Sequence, residues 1–227
     1  MPEQLTFDLP REPALGRGDF FVSPANAAAV EAIQSWHDWP QGKLVLVGPT
    51  GSGKTHLAHV WAAMTGARIV AAAGLAAEDV PALAEGPVVA EDADRIAGDT
   101  AAEKALFHLH NLMREREAAL MLTASLPPGR WGLGLPDLQS RVQGTAMVTL
   151  AAPDDVLISA VLVKLFADRQ LDVAPDVLGY LAKNVERSFE AAGRLVAALD
   201  QAALTERRAV TRPFAARVLD KLRDDGP

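Results

Sequence analysis

Eight consecutive residues, Gly48-Pro49-Thr50-Gly51-Ser52-Gly53-Lys54-Thr55, fit the pattern G-x-x-x-x-G-K-[ST] at every fixed position. Glycines at those places let the backbone turn so that several N–H groups point inward at phosphate oxygens. A helix starting at Gly53 adds its free amides and its dipole. Lys54 is expected to reach the β- and γ-phosphates, and Thr55 to offer a hydroxyl to Mg²⁺. The ligand class is a purine nucleotide. The motif holds a diphosphate and a triphosphate alike, so ADP and ATP both remain open.

About forty residues on, the apolar run Val88-Val89-Ala90 ends in Glu91-Asp92-Ala93-Asp94. In P-loop enzymes an acid at such a strand end holds Mg²⁺, and its neighbour polarises the attacking water. Glu91 takes the metal role and Asp92 the hydrolytic one, although a solvated acidic loop would look the same in sequence. Thr123-Ala124-Ser125 ends a further strand. Its hydroxyls either orient water near the γ-phosphate or merely cap the strand before Pro127-Pro128.

These groups work only if strands and helices bring them together. Lys43 to Val47 is a short Leu and Val run, the pattern of a strand buried on both faces. A helix follows from about Gly53 to Thr65, with Gly66 as its C-cap. Ala67 to Ala71, Pro87 to Glu91, Ala118 to Thr123 and Ala146 to Leu150 read as strands. Thr100 to Glu117 reads as a helix with Leu106, Leu109 and Met113 on one face. A first helix is expected from Pro24, capped by Ser23 and broken at Pro40-Gln41-Gly42. Residues 72–86 are Ala-rich, helix or loop. Alternating strands and helices imply a parallel sheet covered on both sides.

After Pro153 no strand pattern remains. Helices are expected near 154–168, 174–184, 188–206 and 212–223, the last capped by Thr211. Ile158, Val161, Leu162 and Leu165 form one apolar stripe; Phe189, Ala192, Leu195, Val196 and Leu199 form another. The chain thus divides into an arm (1–19), an α/β nucleotide-binding core (20–152) and a helical subdomain (153–227).

The chain has 227 residues, 49% hydrophobic and 22% charged, enough to bury a sizeable core without staples. There is no Cys, which excludes a disulfide framework and suits a reducing cytoplasm, where we place the protein. No apolar run is long enough to span a bilayer. The N-terminus lacks the basic start and apolar stretch of a secretory signal. A net charge of −7 argues against strong autonomous DNA binding, which needs a basic face.

The order of motifs is similar to the AAA+ module of the bacterial replication initiator DnaA. It comprises Phe21-Val22-Ser23-Pro24-Ala25-Asn26, the P-loop followed by His56-Leu57, and the Glu91-Asp92 strand end. Leu122-Thr123-Ala124-Ser125-Leu126-Pro127-Pro128 and Leu138-Gln139-Ser140-Arg141-Val142 complete it. The fold implied is α/β, a P-loop AAA+ parallel-sheet core followed by an all-helical lid. The resemblance places His56 with the nucleotide. It gives Arg141 the role of the inter-subunit arginine that reaches ATP bound on a neighbouring molecule. Arg187 resembles the lid arginine that touches the bound phosphates, with Arg194 as the fallback.

Three departures stand beside that likeness. The chain stops at Pro227, so the initiator's C-terminal DNA-binding domain is read as absent. The first strand-end acid is Glu91 rather than the usual Asp, and Thr123–Ser125 lacks an acid. A truncated, initiator-like module resembles the Hda-type regulators, which inactivate the initiator after replication starts. Proteins of that type carry an N-terminal peptide that docks on the DNA sliding clamp, and Gln4-Leu5-Thr6-Phe7-Asp8-Leu9 is similar to such peptides. Gln4, Leu5, Phe7 and Leu9 would fill an apolar groove on the partner.

The expected function is therefore a nucleotide-binding regulator that sits on the clamp and promotes ATP hydrolysis by DnaA, with weak or no turnover of its own. A loader or adaptor recruiting the initiator or a helicase would use the same core. A stand-alone P-loop NTPase or kinase would need an acceptor pocket that the sequence does not announce. Oligomeric state, a homo-oligomer included, is left open.

Overall fold

The computed structural model describes residues 21–224. The arm with Gln4, Leu5, Phe7 and Leu9 lies outside the described residues. Five strands form one parallel sheet: β1 (Lys43–Val47), β2 (Arg68–Ala71), β3 (Val88–Glu91), β4 (Leu120–Ala124) and β5 (Ala146–Thr149). Their spatial order is β2-β3-β4-β1-β5, so β4 is inserted between β1 and β3. Lys43 pairs with Leu120 and Val47 with Ala124 in register, and Val88 meets Leu120 from the other side.

Side chains alternate across a strand, so each face of β1 contributes to a different core. Val45 and Val47 pack with Val88, Ala90, Leu120 and Leu122 beneath α4 (Thr100–Glu115) and α5 (Pro136–Gln143). Leu44 and Leu46 pack with Val89 and Met121 beneath α1 (Ala27–Gln34) and α2 (Lys54–Thr65). Trp61 of α2 stacks on Trp39, ring centroids 5.0 Å apart, and closes that second core. Between β2 and β3 lie a 3₁₀ segment, Ala72–Ala77, and the single-turn α3 (Val80–Leu83), which resolves the Ala-rich stretch.

The first helix differs from expectation. It begins at Ala27, not at Pro24, and ends at Gln34 rather than at Pro40. Ser23 does not cap it as expected. The Asn26 side chain instead accepts from the Ser23 N–H at 2.8 Å and donates to the Phe21 carbonyl at 2.9 Å. Asn26 and Ser23 bend the chain into a turn before the helix starts, a local competition between side chain and backbone.

Four helices follow the sheet: α6 (Asp155–Asp168), α7 (Pro175–Asn184), α8 (Phe189–Glu206) and α9 (Arg212–Asp224). Their core is separate from those of the sheet. Ile158, Leu162 and Phe166 of α6 meet Leu181 of α7, Leu195 and Leu199 of α8, and Phe214 and Ala215 of α9. Both apolar stripes read from the sequence face this core. Asp154 and Ser188 cap α6 and α8 by accepting from the Leu157 and Ala191 amides.

One buried carboxylate ties the loop before α5 to α4. Glu103, 3% exposed, accepts from the amides of Gly98 and Gly134 at 2.9 and 3.0 Å through Oε1, and of Leu135 at 2.7 Å through Oε2. Burial pushes its pKa up. The three amides, Gly134 foremost, outweigh burial and the nearby Asp99 charge, and hold it below the usual glutamate value. A carboxyl whose folded pKa is depressed adds stability above its unfolded pKa and loses it as pH falls. Glu103→Ala is therefore expected to cost about 3 kcal/mol at neutral pH, since it strands amides that received charge-assisted bonds. In urea melts the gap between wild type and Glu103→Gln should narrow as the pH falls below about 4.5. A gap that stayed constant with pH would rule out the ionised carboxylate as its source.

Candidate functional site

The P-loop leaves the carboxyl end of β1 and enters α2. The Gly48 amide donates to the Ala124 carbonyl at 3.1 Å, which anchors the loop to β4. Ser52 N–H closes a turn on the Pro49 carbonyl. Among the described residues, the amides of Gly51, Gly53, Lys54 and Thr55 have no backbone or side-chain acceptor. These are the free donors that a helix start and a glycine loop present to an anion. Lys54 is 8% exposed, and its Nζ donates to the Gly48 and Pro49 carbonyls at 2.7 and 3.1 Å. Burial lowers its pKa, while the charges of Asp92, Asp94 and Glu91 act in the opposite direction. Those acids and Lys54 therefore share one locality.

The sheet order explains that locality. With β4 between β1 and β3, the chain reverses direction across the sheet at β1, and ligands of open α/β sheets sit beyond the strands' carboxyl ends at such a point. Glu91 ends β3, and its Oε1 is buried without a partner. That orphaned oxygen fits a cation ligand. Among the described residues no group of three or more His, Asp or Glu could hold a metal alone. A P-loop Mg²⁺ takes much of its coordination from phosphate and water, so Thr55 with Glu91 is a sufficient protein contribution.

Asp92 has left-handed backbone, φ 55° and ψ 43°. Its amide donates to Thr123 Oγ1 at 3.1 Å, and its carboxylate lies 3.7 Å from Arg95. The Thr123 hydroxyl thus acts as an acceptor that ties the β3 exit to β4. Asp94, which had no role in the sequence reading, accepts from the Ser125 and Leu126 amides at 2.9 and 3.0 Å through Oδ2. It locks the end of β4 to the end of β3.

The helical subdomain reaches the loop directly. Phe189 N–H, the first amide of α8, donates to the Gly51 carbonyl at 2.9 Å. Gly51 and Gly53 have φ of +75° and +98°, and each has a lid residue where a side chain would stand. A Cβ on Gly51 would lie 2.4 Å from Ser188 Cβ, and one on Gly53 would lie 2.7 Å from the Phe189 ring. Both glycines are demanded twice over, by the left-handed backbone and by the lid seated on them. Arg187, beside this contact, pairs with Asp155 at 3.0 Å and is largely exposed. Arg194 pairs with Glu190 on its own helix.

Between sheet and lid lies a mainly apolar groove of about 280 Å³. Phe21, Asn26, His56, Leu57, Leu157 and Val161 are among its walls, and Ser52 and Gly53 lie at its loop end. A mainly apolar groove that opens onto such a loop suits a nucleotide base. His56 lines this groove. Val161 was legible only as a core position and Leu157 was not singled out, because periodicity cannot show which part of a stripe is left for a ligand.

Arg141 lies elsewhere. It sits in the last turn of α5, its guanidinium 5.5 Å from the Phe107 ring centroid. It shares a second pocket with Pro40 and Lys43, which precede and begin β1. Five residues of β1 rise by roughly 15 Å, so Arg141 is at the opposite end of the strand from the chain's own P-loop.

Residues 158–219 match the family model described as the Hda lid domain. Domain III of the Thermotoga maritima replication initiation protein DnaA is similar in structure, with a TM-score of 0.78 at 19% identity, covering 89% of this chain and 94% of that one. AMPPCP-bound DnaA from Aquifex aeolicus has a TM-score of 0.69 at 17% identity, over 90% of this chain and 68% of that one. A mutant RuvB from Thermotoga maritima has a TM-score of 0.67 at 15% identity, over 89% and 70%. At such identities these structures speak for the fold, and the family match covers residues 158–219 alone. The parallel sheet, the P-loop seated under helices and the likeness to DnaA domain III give the chain an AAA+ fold, and its helical subdomain is similar to the Hda lid.

Proposed function

We propose that this protein is a nucleotide-controlled regulator of replication initiation that promotes ATP hydrolysis by DnaA. ADP or ATP lies with its base in the groove beside His56 and its phosphates over Gly48–Thr55. Mg²⁺, held by Thr55 and Glu91, would neutralise phosphate charge there. Ser188 and Phe189 rest on the same loop, so occupancy of the loop sets how the lid seats. Arg187, one residue before that contact, turns from Asp155 toward the phosphates. Asp92, held at the β3 exit and close to Arg95, gives the chain weak turnover of its own.

The observation that carries the proposal is the position of Arg141. A guanidinium at the far end of β1 cannot serve the chain's own nucleotide, but it can meet one presented by a neighbour. There it stabilises the charge that develops on the transferred phosphoryl oxygens. Gln4, Leu5, Phe7 and Leu9 hold the protein on the sliding clamp in the cytoplasm and so bring Arg141 to clamp-associated DnaA. The test mixes the protein, DNA-loaded clamp and ATP-bound DnaA, and follows phosphate release. Stimulated release is expected with the full chain and is expected to disappear when residues 1–10 are deleted. Equal release with and without the full chain would sink the proposal. Stimulation that survived the deletion would remove the clamp from it.

A further inference from the structure

The pocket that holds Arg141 has a composition unusual for a chain of net charge −7. Its walls include Lys43, His110, Arg114 and Arg141, with Ser140 and Thr145 beside them, and among the described residues no carboxylate lines it. Its volume is about 220 Å³. Among the described residues none of Lys43, Arg114 and Arg141 takes part in an ion pair. Arg114 is exposed at the rim and Lys43 is 2% exposed at the floor.

A buried ammonium without a carboxylate is costly unless something else compensates it. Lys43 Nζ donates to the His110 carbonyl at 2.9 Å and lies 3.3 Å from His110 Nδ1. Those two contacts leave one of its three protons uncommitted. Burial first, then the Arg114 and Arg141 charges, bring its pKa down to about 8. His110 is 3% exposed, and burial with the Lys43 charge lowers its pKa to about 3, so the ring is neutral. With Nδ1 facing the ammonium as acceptor, the ring proton belongs on Nε2, which is buried and has no partner. Gln41, at the rim, is held at φ 55° next to Gly42 at φ 67°. Gly42 takes that backbone freely, whereas the left-handed Gln41 is a local strain of the kind found where a loop shapes a site.

We propose that Lys43, Arg114 and Arg141 form a phosphate-binding pocket at the amino end of the sheet, opposite the P-loop. Arg141 and Arg114 grip the phosphate oxygens from the rim, and the free proton of Lys43 meets them from the floor. The neutral His110 ring accepts from the ammonium and keeps it aimed. The source of the phosphate is the terminal group of a nucleotide presented by a neighbouring protein, a point that rests on the function proposed above. The chemistry of the pocket does not depend on it, since free phosphate or polyphosphate would satisfy the same groups.

The test uses the full chain carrying Lys54→Ala, which silences the P-loop, and inorganic pyrophosphate as the probe in calorimetry. Binding is expected, and adding Arg114→Ala should weaken it about tenfold or more, the usual worth of a charge-assisted bond. Arg114 is exposed, and circular dichroism checks that the variant is folded. In the second arm, Arg114→Ala alone is tested for stimulated phosphate release from ATP-bound DnaA. A tenfold fall there assigns the partner's nucleotide as the source. Weakened pyrophosphate binding with stimulation intact sustains the pocket with free phosphate as its ligand and separates it from the role given to Arg141. Pyrophosphate that binds equally with and without Arg114, together with unaffected stimulation, overturns the pocket altogether.

Discussion

Arg141→Ala should reduce stimulated ATP hydrolysis by DnaA about a thousandfold, the lower range for losing an arginine supplied in trans. The protein should stay folded. The side chain is half-buried, and its one aromatic contact, with Phe107, contributes no more than about 1 kcal/mol at such a site. Its distance from the P-loop separates this effect from nucleotide binding by the chain itself. Arg141→Lys is the sharper variant, because it keeps the charge and loses the planar fork. It should recover only a small part of the rate. The measurement is single-turnover phosphate release from ATP-bound DnaA. Rates for Arg141→Ala within threefold of wild type would show that the residue takes no part in the partner's chemistry.

Lys54→Ala should weaken ADP and ATP binding about a hundredfold, since the ammonium would lose charge-assisted contacts worth about 1.5–3 kcal/mol. A second effect adds to the first. Lys54 also bonds the Gly48 and Pro49 carbonyls, so its removal frees the loop that aims the amides. Fluorescent-nucleotide titration measures the loss, and thermal melts with and without ADP give an independent reading. Ligand at free concentration L stabilises the folded state by RT ln(1 + L/Kd), so a melting shift seen with wild type should nearly vanish in the variant at the same ADP concentration. An affinity within twofold of wild type would remove Gly48–Thr55 as the phosphate site.

Much of the architecture was legible because its causes are local. β1 and β4 are buried along their whole length, and their unbroken apolar runs gave them away. The α6 and α8 stripes are periodic because one face of each must meet the lid core. The strand order was not legible, since nothing in the composition of β4 says that it lies between β1 and β3. Helix α5 was missed, being eight residues long with Leu138 and Val142 as its buried positions. Ser23 looked like a cap residue and instead bends the chain together with Asn26 before α1. Lys43 was read only as the first residue of a buried strand, and only the fold shows that its head lies against His110.

The seating of α8 on the P-loop has an electrostatic consequence. Two helices, α2 and α8, begin at the same loop, one covalently and the other through Phe189 N–H on the Gly51 carbonyl. The partial positive charges of their first turns therefore converge on one small volume. Unlike a lysine or an arginine, these charges cannot be titrated or removed by replacing a side chain. A phosphate placed there would draw both helix ends toward itself, and since one belongs to the core and the other to the lid, the anion would work as a clasp. Part of the nucleotide's binding energy would then go into holding two bodies together.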